Sequence, residues 1–221
     1  MPRTDRIAID GVIIRYYYDG QRVLLEIDAV AGQTTLYYND PEWRVLAEYA
    51  PTNNQQLRKY VYGNYIDETL VLIDTYDSDN SPVGTYYFLH DHLYSPAVLI
   101  GYDEENEIWQ PVERYEFDAY GTARIMDPGF GNRIATQYGV TTLFTGRTLD
   151  ALDSGNLKIM YYRHRYTDPF TGRFLQQDPM EYIDGLNLYE YVESNPIILL
   201  DPSGSKNQRW YPSGKLRDGN V

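Results

Sequence analysis

The sequence contains no cysteine in 221 residues, which excludes disulfides, thiolate nucleophiles and cysteine-ligated metal. Cations are scarce: 19 Lys and Arg stand against 32 Asp and Glu, for a net charge of −13. Phosphate backbones are bound by a surplus of lysine and arginine, so nucleic acid is not an expected partner. An acidic surface serves solubility first. No apolar run approaches the ~20 residues that a membrane-spanning helix requires. Met1 to Asp10 lack the charged-then-apolar order of an export signal, so any such signal is expected in a longer parent polypeptide. A phosphate loop, a Gly-x-Ser-x-Gly elbow and a His-Glu-x-x-His helix are also missing.

Phenylalanine and tryptophan are few, at 6 and 3, whereas tyrosine reaches 24. Tyrosine suits a pleated surface with one dry and one wet face, because the ring packs while the hydroxyl finds a polar partner. Short aromatic and aliphatic segments recur between turn residues. Gly11 to Tyr18 turns at Asp19-Gly20 into Gln21 to Val30, and Asp-Gly between apolar runs is a hairpin signal. Thr34 to Tyr38 leads through Asn39-Asp40-Pro41 to Trp43–Tyr49. Arg58 to Tyr62 turns at Gly63-Asn64 into Tyr65 to Ile73. Thr85 to Leu89, Pro96 to Tyr102 and Glu107 to Phe117 continue the pattern. A strand pair recurring roughly every twenty residues cannot bury its face alone and must stack on its neighbours. The tyrosines are then expected to form cross-strand ladders.

From Asp118 the texture changes. Thr142 to Gly204 is dense in Asp168-Pro169, Asp178-Pro179, Asn195-Pro196 and Asp201-Pro202, pairs that favour turns. Apolar spacing allows a short helix near Gly185 to Glu193. The polar stretch 205–221 is expected to be variable and disordered.

Residues 143–204 resemble the RHS repeat-associated core domain. They carry FTGR, YYRHRYTDPFTGRF, QDP, DGLNLYEYVESNP and DPSG in family order. Upstream, YYFLHDHLYSPAVL and VERYEFDAYG resemble the YD repeats that precede that core. The resemblance, which extends to toxin-complex C subunits, implies a mainly β fold: a YD-repeat antiparallel β-spiral or sheet over 1–125, capped by a turn-rich core segment over 126–204 with one or two short helices. It implies a shell that encapsulates and delivers a C-terminal toxin cargo, working as part of a longer secreted or cell-surface protein. The implied partners are the chain's own C-terminal segment, upstream YD repeats, and other toxin-complex or secretion components. In several members the core acts as an aspartic autoprotease that cuts just after DPxG. This sequence departs at DPMEY, at Tyr94 after DHL, and at Ser205, where leucine is common. With only seventeen residues after Gly204, it reads as an end fragment or a degenerate member.

The chemical candidates are Asp178, Asp184 and Asp201, with Arg173 nearby. Two close carboxylates share a proton, so one can activate water while the other protonates a scissile amide. An arginine can orient one of them bidentately. Asp before Pro is equally an ordinary turn residue, so loop capping is the competing reading. His90, His92 and His164 lack the spacing of a full ligand set, and neither metal nor cofactor is expected. The alternative function is a surface carbohydrate-binding or glycosidase-like β domain, which needs two opposed carboxylates across a cleft.

Overall fold

The computed structural model describes residues 3–9, 12–19, 22–28, 33–65, 67–75, 82–152, 157–183, 185–211 and 215–218. Regular structure there is almost entirely antiparallel β, as expected, and hydrogen-bonded strands are always neighbours in sequence. The chain forms two compact units. The first comprises Met1–Tyr87, Gly101–Ile108 and Gln137–Gly139, and the second Phe88–Ile100, Trp109–Thr136 and Val140–Val221.

The first unit is a meander of β1 (Arg3–Ile9), β2 (Val12–Asp19), β3 (Arg22–Asp28), β4 (Gln33–Asn39), β5 (Val45–Ala50), β6 (Gln55–Tyr62), β7 (Thr69–Asp74) and the start of β8 (Gly84–His90). The segments anticipated from the tyrosine pattern from Gly11 onward are these strands. β-Bulges interrupt the pairing at Tyr17/Tyr18, Tyr38/Asn39, Glu48/Tyr49 and Val61/Tyr62, and each raises the local right-handed twist.

Tyr161 and Tyr166 of the second unit face one another across two strands, with ring centres 5.2 Å apart, but several tyrosines of the first unit do not face another tyrosine. Tyr60 lies opposite Leu72, Tyr62 opposite Thr69, and Tyr87 opposite Val71. The reason is the hydroxyl, which must end on a polar atom. Tyr60 donates to Glu48 Oε1 at 2.6 Å, and Tyr62 to the Val45 carbonyl at 2.9 Å. Glu48 is paired in register with Arg58, and Arg58 with Asp74. The buried guanidinium thus sits between two buried carboxylates, 3.4 Å from Glu48 and 3.1 Å from Asp74. Ala47, Leu57, Tyr65, Leu72 and Tyr86 are also buried in this unit.

The second unit holds most of β9 (Pro96–Asp103) and β10 (Ile108–Phe117), then β11 (Ala123–Met126) and β12 (Asn132–Arg133). Two small sheets follow. One is β13 (Thr148–Leu152), β14 (Leu157–Tyr162), β15 (Arg165–Asp168) and β16 (Arg173–Phe174), and the other β17 (Leu199–Leu200), β18 (Gln208–Tyr211) and β19 (Lys215–Asp218). Phe144, Met160, Tyr162, Phe174, Tyr191, Val192 and Leu199 form its core. The stretch 205–221, expected to be disordered, therefore contributes two strands. The short helices are single 3-10 turns, among them Glu181–Ile183 and Val192–Ser194. Between them Asn187 turns the chain by accepting the Tyr189 N–H, and Leu186 stays exposed, so no helical face forms.

One turn recurs. Asp40, Asp91 and Asp118 each accept, on one carboxylate oxygen, the N–H groups two and four residues on, at 2.8–3.0 Å. The residue three positions on has positive φ: Trp43, Tyr94 and Gly121. Asp127 repeats the arrangement through the Gly131 N–H and Phe130. These are Asx turns, in which the carboxylate replaces the backbone partner that the strand loses at its end.

Two predictions follow from the first unit. Leu72 is fully buried, so Leu72→Ala should cost about 2–5 kcal/mol in urea denaturation. Burial holds Glu48 above its ordinary value of 4.5, against Arg58 and the Tyr60 hydroxyl. A raised carboxyl stabilises the fold below its ordinary value and loses that contribution as pH rises through the folded value. The stability gap between wild type and Glu48→Gln should therefore widen in favour of wild type as pH falls from neutral towards 4.5, then level off. A gap that narrows would mean that Arg58 outweighs burial.

Candidate functional site

The site is built on β15, on the turn after β17 and on the loop after β16. Burial alternates along β15, turning Arg165 and Thr167 inward. The Arg165 guanidinium lies over the Phe174 ring, 3.4 Å from its centroid, and is 3 % exposed. Such a cation needs anions. Its Nη2 meets Asp178 Oδ2 at 2.9 Å and Asp201 Oδ2 at 3.2 Å. Burial lowers the arginine's pKa, and the Asp201 and Asp178 carboxylates oppose that shift.

Both aspartates occupy turns of the recurring kind. Asp178 Oδ1 accepts the Met180 N–H at 2.8 Å, and Glu181, three residues on, has φ 56°. Asp201 Oδ1 accepts the N–H groups of Ser205 and Lys206, each at 3.0 Å, and Gly204 has φ 72°. These bonds turn the chain back so that β18 can pair with Leu199 and Leu200. Gly204 is required sterically: a Cβ there would lie 2.2 Å from the Tyr162 carbonyl oxygen.

The Gly204–Ser205 peptide thus meets a buried charge at each end. Its carbonyl accepts the Arg165 Nε–H at 2.6 Å, while its N–H points at Asp201. A cleft of about 20 Å³ opens on Arg165 and Asp178, lined also by Glu181, Asn187, Glu190 and Asn207, while Asp201, Gly204 and Ser205 lie outside its lining. That is room for roughly one water. Behind the site, Tyr162 shares hydroxyl hydrogen bonds with Thr145 and Tyr191, each at 3.1 Å, and burial raises both phenol pKa values.

No family model matches the chain. Toxin subunit YenC1 of Yersinia entomophaga is 30 % identical over 178 residues, covering 69 % of this chain and 17 % of that protein. Toxin subunit YenC2 of the same organism is 39 % identical over 79 residues, covering 36 % of this chain and 8 % of that protein. The crystal structure of a TcdB2–TccC3–Cdc42 complex superposes on 92 % of this chain and 10 % of the matched chain, with a TM-score of 0.63 and 22 % identity. These likenesses are consistent with an RHS/YD-repeat chain of the toxin-complex C type. It spans less than a fifth of the length of either Yersinia relative.

Of the residues singled out from the sequence, Asp178 and Asp201 are brought together on one arginine. Asp184 lies outside the described residues. Arg173 is exposed and donates to Asn187 Oδ1 at 3.2 Å. The arginine that joins the two carboxylates is Arg165, which sequence reasoning missed. Its signal was the second arginine of YYRHRY, but nothing in that motif tells which side chain turns inward. His92 bonds to the Ile197 carbonyl and His164 to that of Ser203.

Removing a buried arginine strands two acids. Arg165→Met should therefore cost about 3–5 kcal/mol, whereas exposed Arg173→Met should stay within about 0.5 kcal/mol. Equal losses in chemical denaturation would show that Arg165 does not hold the loop.

Proposed function

We propose that this chain forms part of the wall of a toxin-delivery shell, and that its core segment cuts its own backbone once, between Gly204 and Ser205. The shell role is supported by the likeness to toxin subunits that are several times longer, and by the meander of strands that adds neighbour to neighbour. In that setting the wall belongs to a longer secreted or surface protein, its partners are further YD repeats and other toxin-complex components, and the segment after the cut is the cargo.

One observation carries the cleavage: the Gly204–Ser205 peptide lies with its carbonyl on Arg165 and its nitrogen on Asp201. In the competent state the two carboxylates share one proton, carried on Asp201. Water in the cleft attacks the Gly204 carbonyl carbon as Asp178 takes its proton. The oxyanion that forms stays on the Arg165 guanidinium, a donor already aimed at that oxygen. As the C–N bond breaks, Asp201 gives its proton to the Ser205 nitrogen. A carboxyl group remains on Gly204 and an amine on Ser205, with the pair's proton now on Asp178. The acids that cap turns elsewhere here become acid and base because an arginine and a buried peptide sit between them.

A glycosidase reading finds less support, since the cleft beside the carboxylates has room for about one water and not for a sugar ring.

Intact mass of the purified chain tests the cut. Wild type should yield two pieces that divide after Gly204, and Asp178→Asn and Asp201→Asn should each remain whole. A wild-type chain that keeps its full mass of 25.8 kDa rules the cleavage out.

A further inference from the structure

Arginine and histidine side chains next to the site are left over from the chemistry above. Arg147, only 3 % exposed, donates from Nη1 to the Pro202 carbonyl at 2.8 Å. Arg163, 6 % exposed, donates to the same oxygen. His164 holds the Ser203 carbonyl twice, through its backbone N–H at 3.2 Å and through Nδ1 at 2.8 Å. Arg165 then takes the Gly204 carbonyl. Three consecutive residues, 163 to 165, therefore meet three consecutive carbonyls, 202 to 204, one to one and in order.

This matching has a local cost. Arg163 adopts φ 62°, a left-handed conformation that side chains other than glycine seldom take. Such strain persists where the surroundings over-determine it, and it clusters where geometry serves function. The clamp is also backed firmly. Arg147 lies 5.4 Å over the Tyr162 ring, and the Tyr162 hydroxyl is bonded to Thr145 and Tyr191. Gly204 rests against the Tyr162 carbonyl with no room for a Cβ.

We propose that Arg147, Arg163 and His164 are positioning residues that fix the register of residues 202–204, so that only the Gly204–Ser205 peptide reaches Arg165 and Asp201. The inference rests on the self-cleavage reading. A slip of one residue around this turn would present a neighbouring peptide bond to Arg165 and Asp201 in place of Gly204–Ser205. Two cations converging on the Pro202 carbonyl, two residues ahead of the cut, oppose such a slip. Without them the strip can settle in neighbouring registers, and peptide bonds on either side become substrates. A misplacement of about 1 Å can cost 10²-fold in rate.

The test is cell-free synthesis of the full chain, sampled over time by intact mass, with thermal melting of each product. Wild type should show one cut, after Gly204. The double variant Arg147→Ala/Arg163→Ala should cut about 100-fold more slowly and at mixed positions. Arg147→Ala/Arg163→Lys, which restores a cation at one of the two places, should recover the single position and part of the rate. If the double variant does not fold, His164→Ala takes its place, with slower and mixed cutting expected. Variants that fold and cut at wild-type rate at the one bond overturn the clamp alone. An uncut wild-type chain overturns the self-cleavage reading, and the clamp with it.

Discussion

A buried guanidinium between two carboxylates organises the second unit. Arg165 gives up hydration to lie against Phe174, and only the two acids it reaches make that position tolerable. Those acids arrive from loops far apart in sequence, at 178 and 201, so matching the charge also closes the fold. The first unit solves the same problem with the same parts, Arg58 between Glu48 and Asp74. There the three side chains stand directly across adjacent strands, and the remaining Glu48 oxygen is taken by Tyr60. The difference lies in what else the cation touches. Arg165 Nε holds a backbone carbonyl whose amide nitrogen already rests on one of its acids.

The Asx turn connects the repeats to the site. Asp91, Asp118 and Asp127 close strand ends where the carboxylate replaces lost backbone partners, and Asp40 does the same while its second oxygen pairs with Arg44 at 2.6 Å. Asp178 and Asp201 close turns in the same way, and their second oxygens then bind the buried arginine. Capping is thus compatible with the chemistry proposed for these two residues. One oxygen of each serves the turn, and the other serves Arg165.

This explains how far the sequence could be read. Strand positions were legible because Tyr-rich segments alternate with Asp, Asn and Gly, and local turn chemistry places strand ends to within a few residues. Asp178 and Asp201 stood out because both precede proline. Arg165 did not stand out, since its role depends on which face of β15 turns inward, a tertiary fact. Arg173 drew attention by proximity in sequence, yet its strand leaves it exposed beside Asn187. The expected tyrosine ladders assumed that ring contacts dominate. A buried hydroxyl demands an acceptor, and Tyr60 and Tyr62, opposite Leu72 and Thr69, reach theirs on Glu48 and the Val45 carbonyl.

The close seat of Gly204 against the Tyr162 carbonyl bears on how such chains diverge. The glycine is demanded by space, whether or not the bond after it is ever broken. A descendant without the proposed cut would still have to keep it to fold, whereas its acids and Arg165 would be free to drift together towards a neutral, well-packed trio. Loss of the proposed cut would therefore be written at 165, 178 and 201, beneath a loop signature that looks untouched.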